Sequence, residues 1–75
     1  MLRGEHLRQA RSMLGWSQAH LARYAKLRPQ TIERAEAAAG EAPITLAHEA
    51  ALRKALARGG LALGESGPVR ARAGT

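Results

Sequence analysis

Apolar side chains recur every three or four positions near the start of the chain, which is the spacing of one face of an α-helix. The pattern predicts a first amphipathic helix from Leu2 to Leu14. Its apolar face comprises Leu7, Ala10, Met13 and Leu14. Gly15 follows the helix, and glycine suits the left-handed turn that ends many helices. We therefore expect this segment to bury one face against a core.

Two short helices, joined by a tight connection, are predicted next. Ser17 can cap the second helix, Gln18 to Ala25, because its hydroxyl accepts from free backbone N–H groups of the first turn. The third helix begins at Pro29, since proline fits the first turn of a helix, and it runs to about Ala38. The expected inward residues are Leu21, Ala22 and Ala25 on the second helix and Ile32 and Ala35 on the third. The expected outward residues of the third helix are Gln30, Thr31 and Arg34.

One more helix and a tail of different character complete the pattern. Glycine and proline mark residues 40–45 as a loop, and a fourth helix follows from Leu46 to Arg58. Its apolar stripe is Leu52, Ala55 and Leu56. The predicted fold class is all-α, a small bundle of four helices in residues 1–60, with a possible short C-terminal β-hairpin or flexible tail in residues 61–75.

The tail places short apolar segments on either side of a turn-like sequence, GESGP. An isolated two-stranded hairpin is only marginally stable in water. An ordered hairpin would therefore need support from the helical core or from a partner subunit. Because Leu61, Leu63 and Val69 have no other evident use in the sequence, we expect them at a dimer interface.

Composition narrows the classes of function. The chain has 75 residues, enough for one small domain with a thin core and little room for a deep catalytic pocket. It has no cysteine, and its three histidines, His6, His20 and His48, are scattered, so we expect no disulfide, metal site or cofactor. The absence of a carboxylate pair and of a phosphate-binding glycine loop argues against an enzyme. With no long apolar run and no signal peptide, the expected compartment is the cytoplasm, with no membrane association.

The charge of the chain favours a polyanionic partner. Twelve Lys and Arg against six Asp and Glu give a net charge of +6, a strong positive field for so small a protein. Such a field attracts nucleic acid first, and an acidic membrane surface or an acidic protein second. Most of the cations are arginines, which can make bidentate contacts to phosphate or guanine.

Residues 17–37 have the helix-turn-helix pattern. It consists of two short helices joined by a tight turn, with a polar outward face on the second of them. In the major groove of double-stranded DNA, Gln30 can pair with adenine and Arg34 with guanine. Further contacts to phosphate, or to a thymine methyl group for Thr31, are expected from Arg23, Lys26, Arg28 and Thr31. An ordinary solvated helix face carries similar residues, so spacing alone does not decide the function.

The run GWSQAHLARYAKLRPQTIERAEAA resembles the helix-turn-helix of the Xre, or Cro-repressor, type. The matching positions are Gly15, Trp16, Ser17, Gln18, Leu21, Ala22, Thr31, Ile32 and Glu36. With the first and fourth helices, the resemblance covers roughly residues 3–60. It implies a lambda-repressor-like fold that binds DNA. The tail is similar to that of a subgroup in which the last helix runs into a short strand hairpin.

The resemblance also implies roles for individual residues. Gln18 would donate to a DNA phosphate and help to orient the third helix, with a secondary phosphate contact from Ser17. Arg11 on the first helix would pair with Glu36, late in the third, in a structural salt bridge that fixes the third helix to the scaffold. Trp16 is expected to pack at the rim of the core rather than to stack on DNA.

The leading hypothesis is a sequence-specific transcriptional regulator, a repressor that binds a palindromic operator as a homodimer. A single module of this kind makes only a few base contacts, so two copies are expected on half-sites about one helical turn apart. The alternative is a protein-interaction module of the same fold, antitoxin-like or an anti-activator, that binds another regulator. The basic and polar face of the third helix favours DNA over a regulatory protein partner.

Overall fold

The computed structural model describes residues 2–70, which form four α-helices followed by a two-stranded antiparallel hairpin. The elements are α1 (Gly4–Leu14), α2 (Gln18–Ala25), α3 (Pro29–Ala37), α4 (Leu46–Arg58), β1 (Leu61–Gly64) and β2 (Gly67–Arg70). The predicted small helical fold with a C-terminal hairpin is thereby confirmed. The part of the tail prediction that concerns residues 71–75 lies outside the described residues.

Side chains and backbone at the helix ends explain where the helices begin and end. At the start of α2, Oγ of Ser17 accepts from the backbone N–H of His20 at 3.0 Å. At the start of α4, the Thr45 hydroxyl accepts from the N–H of His48 at the same distance. Gly15 has a φ of 69°, the left-handed conformation that glycine adopts without strain, and it ends α1. Ser17 and Gly15 therefore occupy the capping positions that the sequence predicted.

The predicted start of the first helix is wrong. The first helix begins at Gly4 rather than Leu2, because the first residues are extended alongside the loop that follows α3. There the backbone carbonyl of Leu2 accepts from the N–H of Ala42 at 2.8 Å. The predicted end of α3, at about Ala38, agrees with the structure: α3 ends at Ala37, and Ala38 is the extended residue that follows it.

One apolar core lies between the helices and the hairpin. Its fully buried large side chains are Leu7, Leu21, Ile32, Leu52, Leu56 and Leu61. All the residues predicted to face inward from α2, α3 and α4 are buried. The third helix packs on α1 and α2, whereas α4 packs on α2 and β1. This packing leaves Gln30, Glu33 and Arg34 of α3 exposed.

The first turn of α1 approaches α3 closely. A Cβ atom at Gly4 would collide with the backbone carbonyl of Ala35 and come within 3.0 Å of that of Ala38. The N–H of Gly4 also donates to the carbonyl of Gly40 at 2.8 Å. Only glycine fits this position, and the close contact fixes the C-terminal half of α3 against α1.

The hairpin is supported by the chain's own helices. Leu61 is fully buried and Leu63 nearly so, with β1 packed on α4 and β2 on α1. The guanidinium of Arg53 on α4 donates to the carbonyl of Leu63 at 2.8 Å. Leu61 and Leu63 were predicted at a dimer interface because no packing partner for them was evident within the chain. That premise is wrong, since both side chains belong to the core of the chain itself. Val69 differs, since it is 53% exposed and pairs across the hairpin with exposed Ala62.

Met13 is not the core residue that the sequence predicted, because its side chain is 48% exposed. Met13 is part of α1 and borders a shallow surface pocket with Gln9, Ser12, Ser66 and Pro68 where α1 meets the hairpin. Since successive helix positions are rotated by about 100°, Met13 lies well round the helix from Leu7 even though it follows Ala10 by one turn. Its exposure is thus a consequence of where the apolar stripe of α1 is centred.

Candidate nucleic-acid interface

The residues predicted to bind DNA lie at the cap of α2, on α2, on α3 and in the turn between the two helices. On α3, Gln30 and Arg34 are exposed and Thr31 is half-buried. The other exposed residues of this set are Ser17, Arg23, Lys26 and Arg28. Gln18 differs from them, because its side chain is half-buried and hydrogen-bonded within the protein. The fold thus brings the predicted residues onto adjacent elements, most of them open to solvent.

The carboxylate of Glu36 is the centre of the hydrogen bonding within this region. Its side chain is only 4% exposed, and it accepts from Arg11 through Nε at 2.7 Å and Nη2 at 2.9 Å. The Nε2 atom of Gln18 donates to the same carboxylate at 3.0 Å. The remaining terminal nitrogen of Arg11 donates to the carbonyl of Trp16 at 2.8 Å. These bonds join α1, the segment before α2, the first turn of α2 and the end of α3 at one point.

The bidentate geometry between Arg11 and Glu36 is that of a strong, charge-assisted pair. The hydrogen bond to Glu36 raises the pKa of the Arg11 guanidinium above its ordinary value, although burial acts in the opposite direction. The attraction between the two charges adds to the rise. Arg11 therefore remains charged throughout the physiological range, and the Glu36 carboxylate keeps its partner.

Gln18 is engaged with the scaffold rather than free at the surface. The resemblance implied a bond from its side chain to a DNA phosphate, whereas its amide donates to Glu36. A primary amide carries two N–H donors, so one remains for another acceptor. The phosphate contact stays a prediction, and a role in positioning α3 against α2 follows from the observed bond.

A groove follows the outward side of α3. Thr31 and Arg34 form one wall, and the opposite wall consists of Pro43, Ile44, Thr45 and His48. Its volume is about 380 Å³. The groove therefore places the polar side chains of α3 beside the first turn of α4, which the sequence did not connect with them.

Positive charge dominates the exposed surface of residues 17–37. Arg23, Lys26, Arg28 and Arg34 are exposed, and none of them forms an ion pair with a carboxylate of residues 2–70. Glu33 is exposed as well, but the charge of Glu36 is compensated within the protein. The surface can therefore attract a polyanion, with Glu33 as a local repulsive site.

An aromatic cluster that was not predicted from the sequence lies along one side of α2 and the residue before its cap. The rings of Trp16 and His20 are stacked with centroids 5.1 Å apart, and Tyr24 meets each of them edge-on at 4.9 and 4.8 Å. The guanidinium of Arg58 on α4 lies 5.2 Å from the centroid of Tyr24. The signal for such a cluster is the spacing of four residues: His20 and Tyr24 lie one turn apart on α2, and Trp16, just before the helix, precedes His20 by four positions. Trp16 also packs against the core, as expected.

The backbone of Lys26 is a second feature that the sequence analysis missed. Its φ of 59° and ψ of 42° place it in the left-handed region, and its N–H ends α2 by donating to the carbonyls of Ala22 and Arg23. A residue with a Cβ atom is destabilised there by about 1–2 kcal/mol. The sequence contains a signal for this conformation. The second helix has to end before Pro29, and no glycine follows Ala25, so a residue with a side chain has to take the left-handed position.

Within residues 2–70, no three His, Asp or Glu side chains lie close enough together to hold a metal ion. No helix in the described part of the chain combines the length and the apolar character needed to cross a membrane. No protein-family model, curated protein or solved structure matches the chain. A functional assignment consequently depends on the residues of the site.

Proposed function

We propose that the chain is a sequence-specific DNA-binding regulator with a lambda-repressor-like fold of the Xre or Cro-repressor type. Residues 17–37 act as the helix-turn-helix, with α3 in the major groove. The observation that carries the proposal is the contrast between the two sides of α3. One side exposes Gln30 and Arg34, whereas Glu36 on the other side is bonded to Arg11 and Gln18.

The exposed side of α3 has the chemistry needed to distinguish base pairs. The amide of Gln30 can pair with N6 and N7 of adenine, and the guanidinium of Arg34 with O6 and N7 of guanine. Thr31 reaches a phosphate or a thymine methyl group at the same surface. Each good bidentate pair contributes about 1–3 kcal/mol of discrimination against a wrong base.

Phosphate contacts would fix the position of α3 in the groove. Arg23, Lys26 and Arg28 lie along the C-terminal part of α2 and the following turn, and all are exposed. Ser17 and the second N–H of Gln18 add neutral donors at the start of α2. Such contacts contribute affinity and orientation but carry no sequence information themselves.

A homodimer on a palindromic operator, acting as a repressor in the cytoplasm, completes the proposal. Two modules double the number of base contacts, with half-sites about one helical turn apart. Three apolar tail residues were assigned to the dimer interface. Val69 is exposed and can contact a second copy of the chain, whereas Leu61 and Leu63 are buried in the core.

Selection of bound sequences from random double-stranded DNA tests this function most directly. We expect an enriched motif with two-fold symmetry, and mobility-shift titrations in which affinity falls steeply as salt rises. Affinity that is the same for every sequence, or absent at low salt, would contradict the proposal. A stoichiometric protein partner in the absence of DNA affinity would instead support a protein-interaction module of the same fold.

A further inference from the structure

A cavity with a positively charged rim lies between α2 and α4, and no residue of α3 contributes to it. Its floor consists of the small side chains of Ala25, Ala51 and Ala55. Its rim consists of Tyr24, Lys26, Lys54 and Arg58, and its volume is about 240 Å³. Among the residues that the structure describes, no carboxylate lines this cavity.

Two of the three cations of this rim, Lys26 and Lys54, occupy locally unfavourable positions. Lys26 holds the left-handed backbone conformation that favours glycine. Lys54 and Arg58 are four residues apart on one face of α4, and like charges at that spacing destabilise a helix. The helix dipole favours a cation in the last turn of α4, which explains Arg58 but not Lys54. Strained backbone conformations such as that of Lys26 cluster at active sites and ligand-binding sites.

The aromatic cluster holds part of the rim in place. The guanidinium carbon of Arg58 is 5.2 Å from the ring centroid of Tyr24, within the range of a cation–π interaction. The ring of Tyr24 is itself packed edge-on against Trp16 and His20. Arg58 is thus oriented at the edge of the cavity before any ligand arrives, and the phenol of Tyr24 adds an O–H donor.

From this arrangement we infer that the cavity is a binding site for a phosphate-bearing anion. Lys26 lines the cavity from the turn after α2, while Lys54 and Arg58 line it from α4, so all three cations border the same space. Lysine and arginine form short, charge-assisted hydrogen bonds with phosphate oxygens. The phosphate belongs either to a free phosphorylated small molecule or to a nucleic-acid backbone. The inference does not depend on sequence-specific reading by α3.

Titration of the full chain with inorganic pyrophosphate tests the site without DNA. At constant ionic strength and without divalent metal, we expect saturable binding with amide NMR shifts centred on residues 24–26 and 51–58. The double variant Lys54→Gln, Arg58→Gln should weaken binding by at least about tenfold, because it removes two charge-assisted hydrogen bonds. Lys54→Gln alone, which changes one exposed side chain, should give a smaller loss in the same direction.

The matched control is the double variant Arg8→Gln, Arg70→Gln, which removes the same charge from exposed positions outside the cavity. It should change pyrophosphate affinity by less than about twofold, since distant surface charges are screened by salt. Circular dichroism melting of every variant checks that each is folded. Equal losses in both double variants, shifts spread along α3, or no saturation would overturn the inference.

A DNA-binding titration of the same variants identifies the source of the phosphate. If the cavity takes the nucleic-acid backbone, the Lys54, Arg58 variant should lose DNA affinity and show a salt dependence shallower by about two counterions. If the cavity binds a free phosphorylated molecule, the double variant at Lys54 and Arg58 should keep its affinity for DNA while its affinity for pyrophosphate falls. Both results support the site, and neither requires the DNA to be read in a sequence-specific way.

Discussion

The side-chain amide of Gln18 lies 3.0 Å from the carboxylate of Glu36, a buried acid that is also held by two hydrogen bonds from Arg11. One carboxylate late in α3 therefore receives donors from α1 and from the first turn of α2. The angle between α2 and α3 decides whether α3 can enter a groove while α2 rests on the backbone. A proposed DNA-reading helix is thus oriented by an interaction on the side that faces away from solvent.

Arg11→Ala should destabilise the protein strongly. Removal of the guanidinium leaves the Glu36 carboxylate, 4% exposed, with only Gln18 as a donor. Breaking a buried pair costs about 3–5 kcal/mol, and the lower end applies here because Arg11 is itself 19% exposed. For a domain of this size that corresponds to a fall in Tm of more than about 10 °C, measurable by circular dichroism.

A matched control for this change is Arg3→Gln. Arg3 pairs with Glu5 at 3.3 Å, but both side chains are 48% exposed, so the loss should stay below about 1 kcal/mol. The pKa of Arg11 is higher in the folded protein than in the unfolded chain. The stability that the charged Arg11 contributes is therefore fully present below its unfolded pKa, and it is lost only as pH rises through its folded pKa. The difference between the parent chain and Arg11→Ala should hence stay constant from about pH 7 to about pH 10. A melting temperature within one degree of the parent would rule out a stabilising pair.

Substitutions of Gln18 should separate its bond to Glu36 from a bond to DNA. Gln18→Ala removes one hydrogen bond to a buried acceptor and should cost about 1 kcal/mol of folding free energy. Gln18→Glu places a second carboxylate beside Glu36 and should cost more at neutral pH, since like charges repel at this distance. Urea unfolding gives both values. If Gln18→Ala lowers DNA affinity without any loss of stability, the side chain acts on phosphate and not on the scaffold.

Much of the fold follows from local patterns in the sequence. Ser17 and Gly15 mark helix ends through their own hydrogen bonding and backbone preferences, and Pro29 marks the start of α3 in the same way. The apolar spacing on α2, α3 and α4 identifies buried residues because each helix buries one stripe. These predictions succeed because the controlling interactions lie within a few residues of each other.

The remaining features depend on contacts between distant segments. Gly4 is required by its approach to the carbonyl of Ala35, which no local pattern reveals. Leu61 is buried because β1 lies against α4. In the sequence it is an apolar residue without an evident packing partner. The cavity between α2 and α4 likewise combines Lys26 with Lys54, residues far apart in the chain. The pairing of Arg11 with Glu36 was predicted only through a family resemblance, not from spacing.

Leu61 and Val69 should respond in opposite ways to substitution. Leu61→Ala leaves a cavity in the core and should cost about 2–5 kcal/mol of folding free energy, at any protein concentration. Val69→Ala, at a position 53% exposed, should change the stability of the monomer by less than about 0.5 kcal/mol. If Val69 lies at a dimer interface, its substitution should instead weaken self-association in sedimentation experiments. A large loss of monomer stability with Val69→Ala would contradict the exposed position of its side chain.

Lys26→Gly should raise stability while it lowers affinity for anions. Glycine adopts the left-handed conformation without the cost of about 1–2 kcal/mol that a Cβ atom brings. It also loses more chain entropy on folding, so we expect the free energy of unfolding to rise by only about 0.5–1 kcal/mol. Lys26→Ala removes the same charge and keeps the strain, so it provides the control for charge. Both variants should bind DNA and pyrophosphate more weakly, and only the glycine variant should melt at a higher temperature. Equal melting temperatures for the two would show that the backbone of Lys26 is not strained.

Substitutions at three exposed residues should distinguish reading of bases from attraction to phosphate. Arg34→Ala should weaken binding to a selected site by about 1–3 kcal/mol and relax the preference at one base pair, because it removes the proposed bidentate contact to guanine. Arg23→Ala should weaken all sequences alike and reduce the salt slope by about one. Glu33→Gln should strengthen binding to random DNA, since it removes a carboxylate that repels phosphate. Fluorescence anisotropy with a selected and a scrambled duplex at two salt concentrations measures all three effects. If Arg34→Ala and Arg23→Ala weakened both duplexes by the same factor, α3 would be an electrostatic surface and not a reader of sequence.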